Sequence, residues 1–407
     1  MSHLNGIGKV SAVCALVSSL FLSPAWAEDV GPDTHVLEEP AVRSVNHFAL
    51  QTARLLAPQG GDLFFSPYSI ISALGMTYAG AKGETAGEME KALLFSPMLH
   101  VSLDTLTQDL LSGAGKDSET LTTANRIWLH TGLKLHEDFA GTLRRSYGST
   151  AAEVDFEKDP NGAKKEINGW VEDQTHDRIR DLIQKIEPDT QMILVNAIYF
   201  NGRWEEPFNE KMTQPKPFHV TASETKEVSM MQQNRRLLYG EVDGVKLLRL
   251  PYSGRLSMLL ALPAEGGMEG TLKALAENDK LFTRWARSLS RHEVDLWLPK
   301  FRTESRYELK DVLAALGVRQ AFEKEADFSG MTDDEKLRID SVIHKTFIEV
   351  DEKKTEAAAA TGIVMVRTTA APVSLPRAEF HADRPFLYFI VDDATGVILF
   401  MGRQSFK

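Results

Sequence analysis

The segment 355–376 constrains the fold of this chain more than any other part of the sequence. It begins Thr-Glu-Ala-Ala-Ala-Ala-Thr, which by propensity alone is the start of a helix with a threonine cap. The residues that follow, 362–376, have no helical period and contain two prolines. The segment lies between strong strand patterns at 343–350 and 386–391, and about 30 residues without a helical period are unusual inside a compact domain. We therefore expect an extended, functional loop here rather than a helix.

The rest of the chain mixes amphipathic helices with apolar strands. Apolar side chains at helical spacing predict helices at 161–183 and 307–316, and the nearly continuous apolar run 192–200 predicts a strand buried on both faces. The sequence contains no internal repeat, low-complexity tract or long linker. We therefore expect residues 42–407 to form one domain, preceded by a polar lead-in at 28–41.

The first 27 residues have the features of a secretory signal. Lys9 is their only charged residue, and an apolar run follows at 10–22. Ala25 and Ala27 supply the small-x-small pattern that predicts cleavage after Ala27. The apolar run is too short to span a bilayer. We expect residues 1–27 to be removed and the protein to be secreted or periplasmic.

Composition and missing motifs narrow the function. Cys14 is the only cysteine and lies inside the signal, so the exported chain would have no disulfide, catalytic thiol or cysteine metal site. The formal net charge of −11 argues against nucleic acid or an anionic membrane as a partner. The mature chain has no GxSxG, HExxH, P-loop or GxGxxG motif, and its histidines form no spaced cluster. These observations disfavour an enzyme and predict neither a metal nor a cofactor.

Four motifs resemble signatures of the serpin family. The family's hinge has glutamate, two further residues, threonine, glutamate, a run of alanines and threonine. Its counterparts in this chain are Glu352, Thr355, Glu356, Ala357, Ala358, Ala359, Ala360 and Thr361. The stretches 65–74, 195–208 and 384–402 resemble the family's shutter motif, its strand-to-loop signature and its C-terminal hairpin. Because all four occur in the family's order, the chain is identified as a member of the serpins, of the exported bacterial type.

The resemblance implies both a fold and a mechanism. The implied fold is α+β, a single domain with three β-sheets, about nine helices and an exposed reactive-centre loop at about 352–376. The implied function is not catalysis but irreversible suicide inhibition of serine endopeptidases, with cysteine endopeptidases as a second class. A protease that cuts the loop becomes an acyl-enzyme, and the cut loop then inserts into the central sheet as a new strand. The implied partner is thus a protease, and the implied state is a monomer.

Residue sizes along the hinge fit insertion into a sheet. Side chains of a strand alternate between its faces, so an inward Thr355 places Ala357 and Ala359 inward as well. Small inward side chains let a sheet open at low steric cost. Non-inhibitory serpins, which act as binding or structural proteins, tend to carry bulky or charged residues there. That second function stays open, and the alanine run favours the inhibitor.

The resemblance places the bait bond at Arg367–Thr368, with Thr368–Thr369 as the alternative. Arg367 is the only basic residue of the loop after Lys354 and favours a trypsin-like target. A threonine before the cut would favour elastase- or subtilisin-like proteases. Lys354 itself departs from the family pattern, which usually has glycine at that position.

Two further sets of side chains are implied by the resemblance alone. The shutter, a hydrogen-bonded cluster beneath the opening sheet, would comprise Ser66, Ser69, Asn196 and His344. The breach, where the loop first inserts, would comprise Trp204, Lys300 and Glu352. Without the resemblance, His344 would be interpreted as a core histidine with its hydrogen bonds made, and Trp204 as an ordinary core tryptophan. Lys300 and Glu352 are candidates for an ion pair.

Overall fold

The computed structural model describes residues 39–56, 61–113, 119–334, 336–353 and 375–407. Nine α-helices occur in these ranges. Their bounds are α1 Pro40–Leu56, α2 Pro67–Tyr78, α3 Gly83–Leu93, α4 Leu99–Gly113, α5 Glu137–Tyr147, α6 Pro160–Gln174, α7 Met268–Glu277, α8 Asp279–Arg287 and α9 Lys310–Leu316.

The same ranges contain fourteen β-strands. Their bounds are β1 Leu63–Phe65, β2 Glu119–His130, β3 Ala152–Val154, β4 Met192–Gly202, β5 Gln214–Thr221, β6 Glu224–Val242, β7 Val245–Pro251, β8 Leu256–Leu262, β9 Ser290–Pro299, β10 Phe301–Glu308, β11 Ser341–Val350, β12 Arg377–His381, β13 Phe386–Asp392 and β14 Ile398–Gln404.

The strands form two hydrogen-bonded sheets. A five-stranded sheet has the order β10-β11-β4-β2-β3, and a nine-stranded sheet has the order β1-β14-β13-β8-β7-β6-β9-β12, with β5 also paired to β6. The α+β class and the nine helices agree with the prediction. The three expected sheets appear as two networks in the described residues, because the 19-residue strand β6 continues from its pairing with β9 into its pairing with β7. One long strand thus joins sheets that would otherwise be separate.

Local sequence signals explain where key elements begin. Strand β4 has ten buried residues out of eleven, as its apolar run predicts. Helix α2 begins at Pro67 because Ser66, with extended backbone, accepts a hydrogen bond from the Ser69 amide. Helix α6 begins in the same way, with Asp159 as its cap and Pro160 as its first residue.

The predicted helix 161–183 is wrong in its second half. Helix α6 ends at Gln174, where the Thr175 hydroxyl bonds the Val171 carbonyl. The Asn168 side chain then holds both backbone groups of Ile183, at 2.8 and 2.9 Å. Ile183 therefore folds back onto α6, and the buried apolar residues after 174 lie on an irregular connector rather than on a helix.

The helix predicted at 307–316 begins three residues later in the structure, at Lys310. Tyr307 belongs to strand β10, where it pairs in register with His344. Its hydroxyl accepts a hydrogen bond from the Phe64 amide at 3.2 Å. The helical spacing is therefore local to α9, and pairing with β11 determines the conformation before Lys310.

The apolar interior has two parts. The larger cluster includes residues of both sheets and of α1 and α2. The smaller one lies where α6 and its connector cover one face of the five-stranded sheet, with Trp128, Ile167 and Val195 among its members. Among the described residues, no helix combines the length and apolar character that crossing a membrane requires.

We expect Gly402→Ala to destabilise the fold by about 1–3 kcal/mol, because an added methyl group would overpack a filled interior. Gly402 pairs in register with Tyr388, and a Cβ at 402 would overlap the Tyr388 ring. Gly87→Ala is the matched control, since a Cβ there meets nothing within 4 Å. That helical position should gain up to about 1 kcal/mol. Thermal unfolding midpoints test this, and equal midpoints for the two variants would contradict it.

Candidate functional site

The boundary between β4 and β11, called the seam here, is the centre of the candidate site. The two strands pair in parallel from Ile193 with Ser341 to Tyr199 with Phe347. Beyond that point their pairing ends, although β4 continues to Gly202 and β11 to Val350. A cleft opens between the diverging ends. Its lining consists of Tyr199, Phe200, Gly202, Trp204, Tyr252, Phe347, Ile348, Glu349 and Val350.

Four polar side chains form a row across the seam. Asn196 on β4 pairs in register with His344 on β11. On the far side of each strand the row continues with Asn125 on β2 and Tyr307 on β10. Four neighbouring strands of one sheet thus each carry a polar side chain at the same level, and the middle two of these residues pair across the seam.

Hydrogen bonds join this row to helix α2. The His344 Nδ1 lies within hydrogen-bond reach of Asn196 Oδ1, and the Ser66 amide donates to His344 Nε2 at 3.0 Å. Asn196 Nδ2 donates to Ser69 Oγ and to Asn125 Oδ1, both at 2.6 Å. The four residues implied as the shutter, all fully buried, therefore lie in one cluster.

His344 is neutral in this cluster. Its Nε2 accepts from a backbone amide, so the ring proton resides on Nδ1, which donates to Asn196. Burial lowers the pKa of His344 to about 3, because a charged imidazolium would lose its hydration at this buried position. A neutral ring can donate on one side and accept on the other, and so it bridges β4, β11 and α2.

The sequence reasoning missed two members of the cluster. Asn125 accepts from both Asn196 and Ser69, and Tyr307 stacks on His344 with ring centroids 6.4 Å apart. Only the strand pairing identifies them. Residues 122–130 show no regular alternation of polar and apolar side chains, so the sequence carries no signal that would have placed Asn125 beside Asn196.

The open end of the seam is surrounded by the segment 203–213, called the collar here. The Trp204 indole donates to the Asp351 carbonyl at 2.9 Å, and the Phe208 amide donates to the Glu352 carbonyl at 2.8 Å. Trp204 also stacks on Tyr252 with centroids 4.5 Å apart. The collar therefore fixes the carbonyl groups of Asp351 and Glu352, directly after the end of β11.

The Glu352 side chain is held within the collar. Lys300 Nζ lies 2.6 Å from Glu352 Oε2, and the Thr213 hydroxyl donates to Oε1 at 2.7 Å. Burial alone would raise the pKa of Glu352, but the Lys300 ammonium and the Thr213 hydroxyl outweigh it, and the pKa lies below its usual value. The three residues implied as the breach are thus close together, and Lys300 and Glu352 form the expected ion pair.

The hinge residues from Thr355 to Thr361 and the bait-bond residues Arg367, Thr368 and Thr369 lie outside the described residues, as does Lys354. Their assignments remain predictions. In the described ranges, no group of three or more His, Cys, Asp or Glu side chains is arranged to hold a metal ion.

Comparison with known proteins shows the family to which the chain is similar. A family model described as Serpin (serine protease inhibitor) matches residues 43–405. A serpin-like protein of Thermococcus kodakarensis is 39% identical over 373 residues, covering 90% of this chain and 86% of the relative. The leukocyte elastase inhibitor of Bos taurus is 39% identical over 356 residues, covering 85% and 93%. The structure of a highly specific serpin from Tenebrio molitor matches with 31% identity and a TM-score of 0.78, covering 91% and 99%.

Acid should weaken the fold through His344. The unfolded chain takes up a proton near the ordinary pKa of 6.5, whereas the folded state resists it until about pH 3. The free energy of unfolding should therefore fall as pH falls between these values, by up to about 1.4 kcal/mol per pH unit. Denaturant midpoints from pH 7 to pH 3 test this. His344→Gln should give a flatter profile, and parallel profiles would contradict the prediction.

Lys300→Met should destabilise the protein by about 1–3 kcal/mol, because it leaves the Glu352 carboxylate, 9% exposed, without a countercharge. Lys300 is itself 38% exposed, which keeps the loss below that of a fully buried pair. The double variant Lys300→Met/Glu352→Gln should recover most of the loss. Denaturant unfolding of the unmodified protein, the single variants Lys300→Met and Glu352→Gln, and the double variant gives the coupling free energy. Additive effects would contradict the prediction.

Proposed function

This chain belongs to the serpin family, and we propose that it is an irreversible inhibitor of serine endopeptidases that inserts its cleaved reactive-centre loop into the seam. The observation that carries the proposal is the seam itself. Two central strands lie in parallel, stop pairing at one end, and have the start of the loop fixed beside that open end. This observation does not depend on which protease is the target.

The direction of the chain favours insertion at the seam. Strand β11 ends at Val350, and the chain that follows it would run antiparallel to β11 if it turned back. A strand placed in the seam this way would also be antiparallel to β4. One parallel pairing would then be replaced by two antiparallel ones, which are slightly more stable per residue. Ten additional backbone hydrogen bonds at about 1 kcal/mol each would contribute on the order of 10 kcal/mol.

The polar row opposes insertion in the intact protein. A new strand adds about 4.8 Å of separation between β4 and β11, which exceeds the reach of a hydrogen bond. The contact between His344 and Asn196 must therefore break when the seam opens. Both side chains are fully buried, so each requires a new partner in the inserted state. We infer that this exchange sets part of the barrier that keeps the loop outside before cleavage.

The target class rests on the loop sequence and on the names of relatives. Arg367 before the cut favours a trypsin-like protease. Thr368 before the cut would suit an elastase- or subtilisin-like one, and relatives from cattle and horse are named leukocyte elastase inhibitors. We propose that the protein acts as a monomer on such a protease, without nucleic acid, membrane or cofactor.

Export is a separate proposal. It rests on the signal pattern in residues 1–27, which lie outside the described residues. The mature protein would begin at Glu28 and act outside the cytoplasm, in the periplasm or beyond. Mass spectrometry of the N-terminus of the protein recovered from its source would test it.

Incubation with trypsin-like and elastase-like proteases should give a covalent complex that survives denaturing electrophoresis. Mass spectrometry of the loop then identifies the bait bond. Thr355→Arg should turn the inhibitor into a substrate, because a charge would have to enter the sheet. Ser374→Arg, on the far side of the bait bond, is the matched control and should still form the complex.

Two results would contradict the proposal. Clean cleavage without any complex, across a broad panel of serine and cysteine proteases, would favour a non-inhibitory binding role. Undiminished complex formation by the Thr355→Arg variant would mean that the loop does not enter the sheet.

A further inference from the structure

Arg235 is a buried arginine on β6 that the mechanism described so far does not use. Its side chain is only 8% exposed. It pairs in register with Val294 and shares a strand face with Leu237, and both of these are buried apolar residues. An arginine at a position of this kind costs stability unless its charge is compensated. Its position there raises the question of what the charge contacts.

The charge of Arg235 is directed at the collar. Its guanidinium lies 3.5 Å from a carboxylate oxygen of Glu205 and 3.5 Å from one of Glu206. Nη1 also donates to the Glu206 carbonyl at 3.4 Å. Within the described part of the chain, Nε has no hydrogen-bond partner, and burial lowers the pKa of Arg235 against the opposing effect of the two carboxylates. The collar thus holds the only carboxylates with which this arginine is seen to pair in the described residues.

The collar transmits this contact to the start of the loop. Three residues after Glu205, the Phe208 amide holds the Glu352 carbonyl, and the Trp204 indole holds the Asp351 carbonyl. The collar is also bonded to the end of β7, where the Glu205 amide donates to the Pro251 carbonyl at 3.1 Å. Arg235 therefore contacts the two collar glutamates that lie between Trp204 and Phe208, the residues that fix Asp351 and Glu352.

We propose that Arg235 is a positioning residue for loop insertion, acting through the collar to keep Asp351 and Glu352 as a fixed pivot at the open end of the seam. This rests on the proposed function. A cut loop has two fates while the acyl-enzyme lasts, since it either enters the seam and traps the protease or waits until the acyl bond is hydrolysed. A pivot that cannot move directs the first inserted residues into the cleft between β4 and β11. A collar released from Arg235 lets the pivot move with the loop, and more of the acyl-enzyme is hydrolysed.

The test compares Arg235→Met, which keeps the length but removes the charge, with two further variants. Arg235→Lys retains a cation for the collar carboxylates. Arg236→Met is the matched control, because Arg236 is the next residue on β6, is exposed, and projects from the opposite face. Two quantities are measured for each variant and for the unmodified protein. One is the number of inhibitor molecules consumed per protease inactivated, and the other is the hydrogen exchange rate of the collar amides.

We expect Arg235→Met to raise both the consumption and the collar exchange rate about threefold, as the loss of a charged contact with exposed carboxylates to a locally ordered segment implies. Arg235→Lys should recover most of both effects, and Arg236→Met should change neither. The rate at which the protease first attacks the loop should be the same in all four proteins, since the bait bond is unaltered.

The possible outcomes distinguish a failure of the proposed role of Arg235 from a failure of the proposed inhibitor function. Faster collar exchange in Arg235→Met with unchanged consumption would overturn the inference, because Arg235 would then be structural only. Equal effects of Arg235→Met and Arg236→Met would also overturn it. Absence of a covalent complex with the unmodified protein would instead overturn the proposed function, and this inference with it.

Discussion

The hydrogen bond between His344 and Asn196 is the contact on which the site depends. It joins the two strands of the seam at a level where both are fully buried. A buried polar side chain is stable only when its donors and acceptors have partners. The neutral histidine meets this condition because its other nitrogen accepts a hydrogen bond from the Ser66 amide. This bond holds the start of α2 against the sheet. Opening the seam therefore disturbs the sheet and the helix at once.

Both faces of the five-stranded sheet pack against apolar residues, but only one of them also carries the polar row. On one face, Ser66 and Ser69 bring polar groups of α2 against the row that crosses the seam. On the other face, α6 and its connector cover the seam with an apolar cluster that includes Val195 of β4 and Ile343 of β11. Apolar contacts are non-directional and tolerate a lateral shift, whereas hydrogen bonds of fixed geometry do not. The polar face is thus the one that sets a discrete closed state.

Sequence patterns predicted a mixture of helices and strands and the apolar strand β4, because these depend on local composition and spacing, whereas the α+β serpin fold was implied by the family resemblance. The shutter and breach residues came from the family's motifs, and the structure brings each set together. The patterns missed Asn125 and Tyr307, since a strand's period fixes which face a side chain occupies but not which residue of the next strand lies beside it. They also missed Arg235, because nothing in a run of polar residues on β6 indicates which of them turns inward toward the collar.

The connectivity of the chain explains why cleavage and insertion would be linked. The connecting segment, residues 351–376, joins β11 in one sheet to β12 on the edge of the other. At its start Glu352 is held by Lys300 and Thr213, and at its end β12 is paired in parallel with β9 from Arg377 to His381. His381 adds a ring stacked on Trp297 at 3.9 Å. Under the proposed function, cutting the loop would release the part attached to β11, while β12 would keep its pairing with β9. The His344–Asn196 contact would then be what the released segment has to displace.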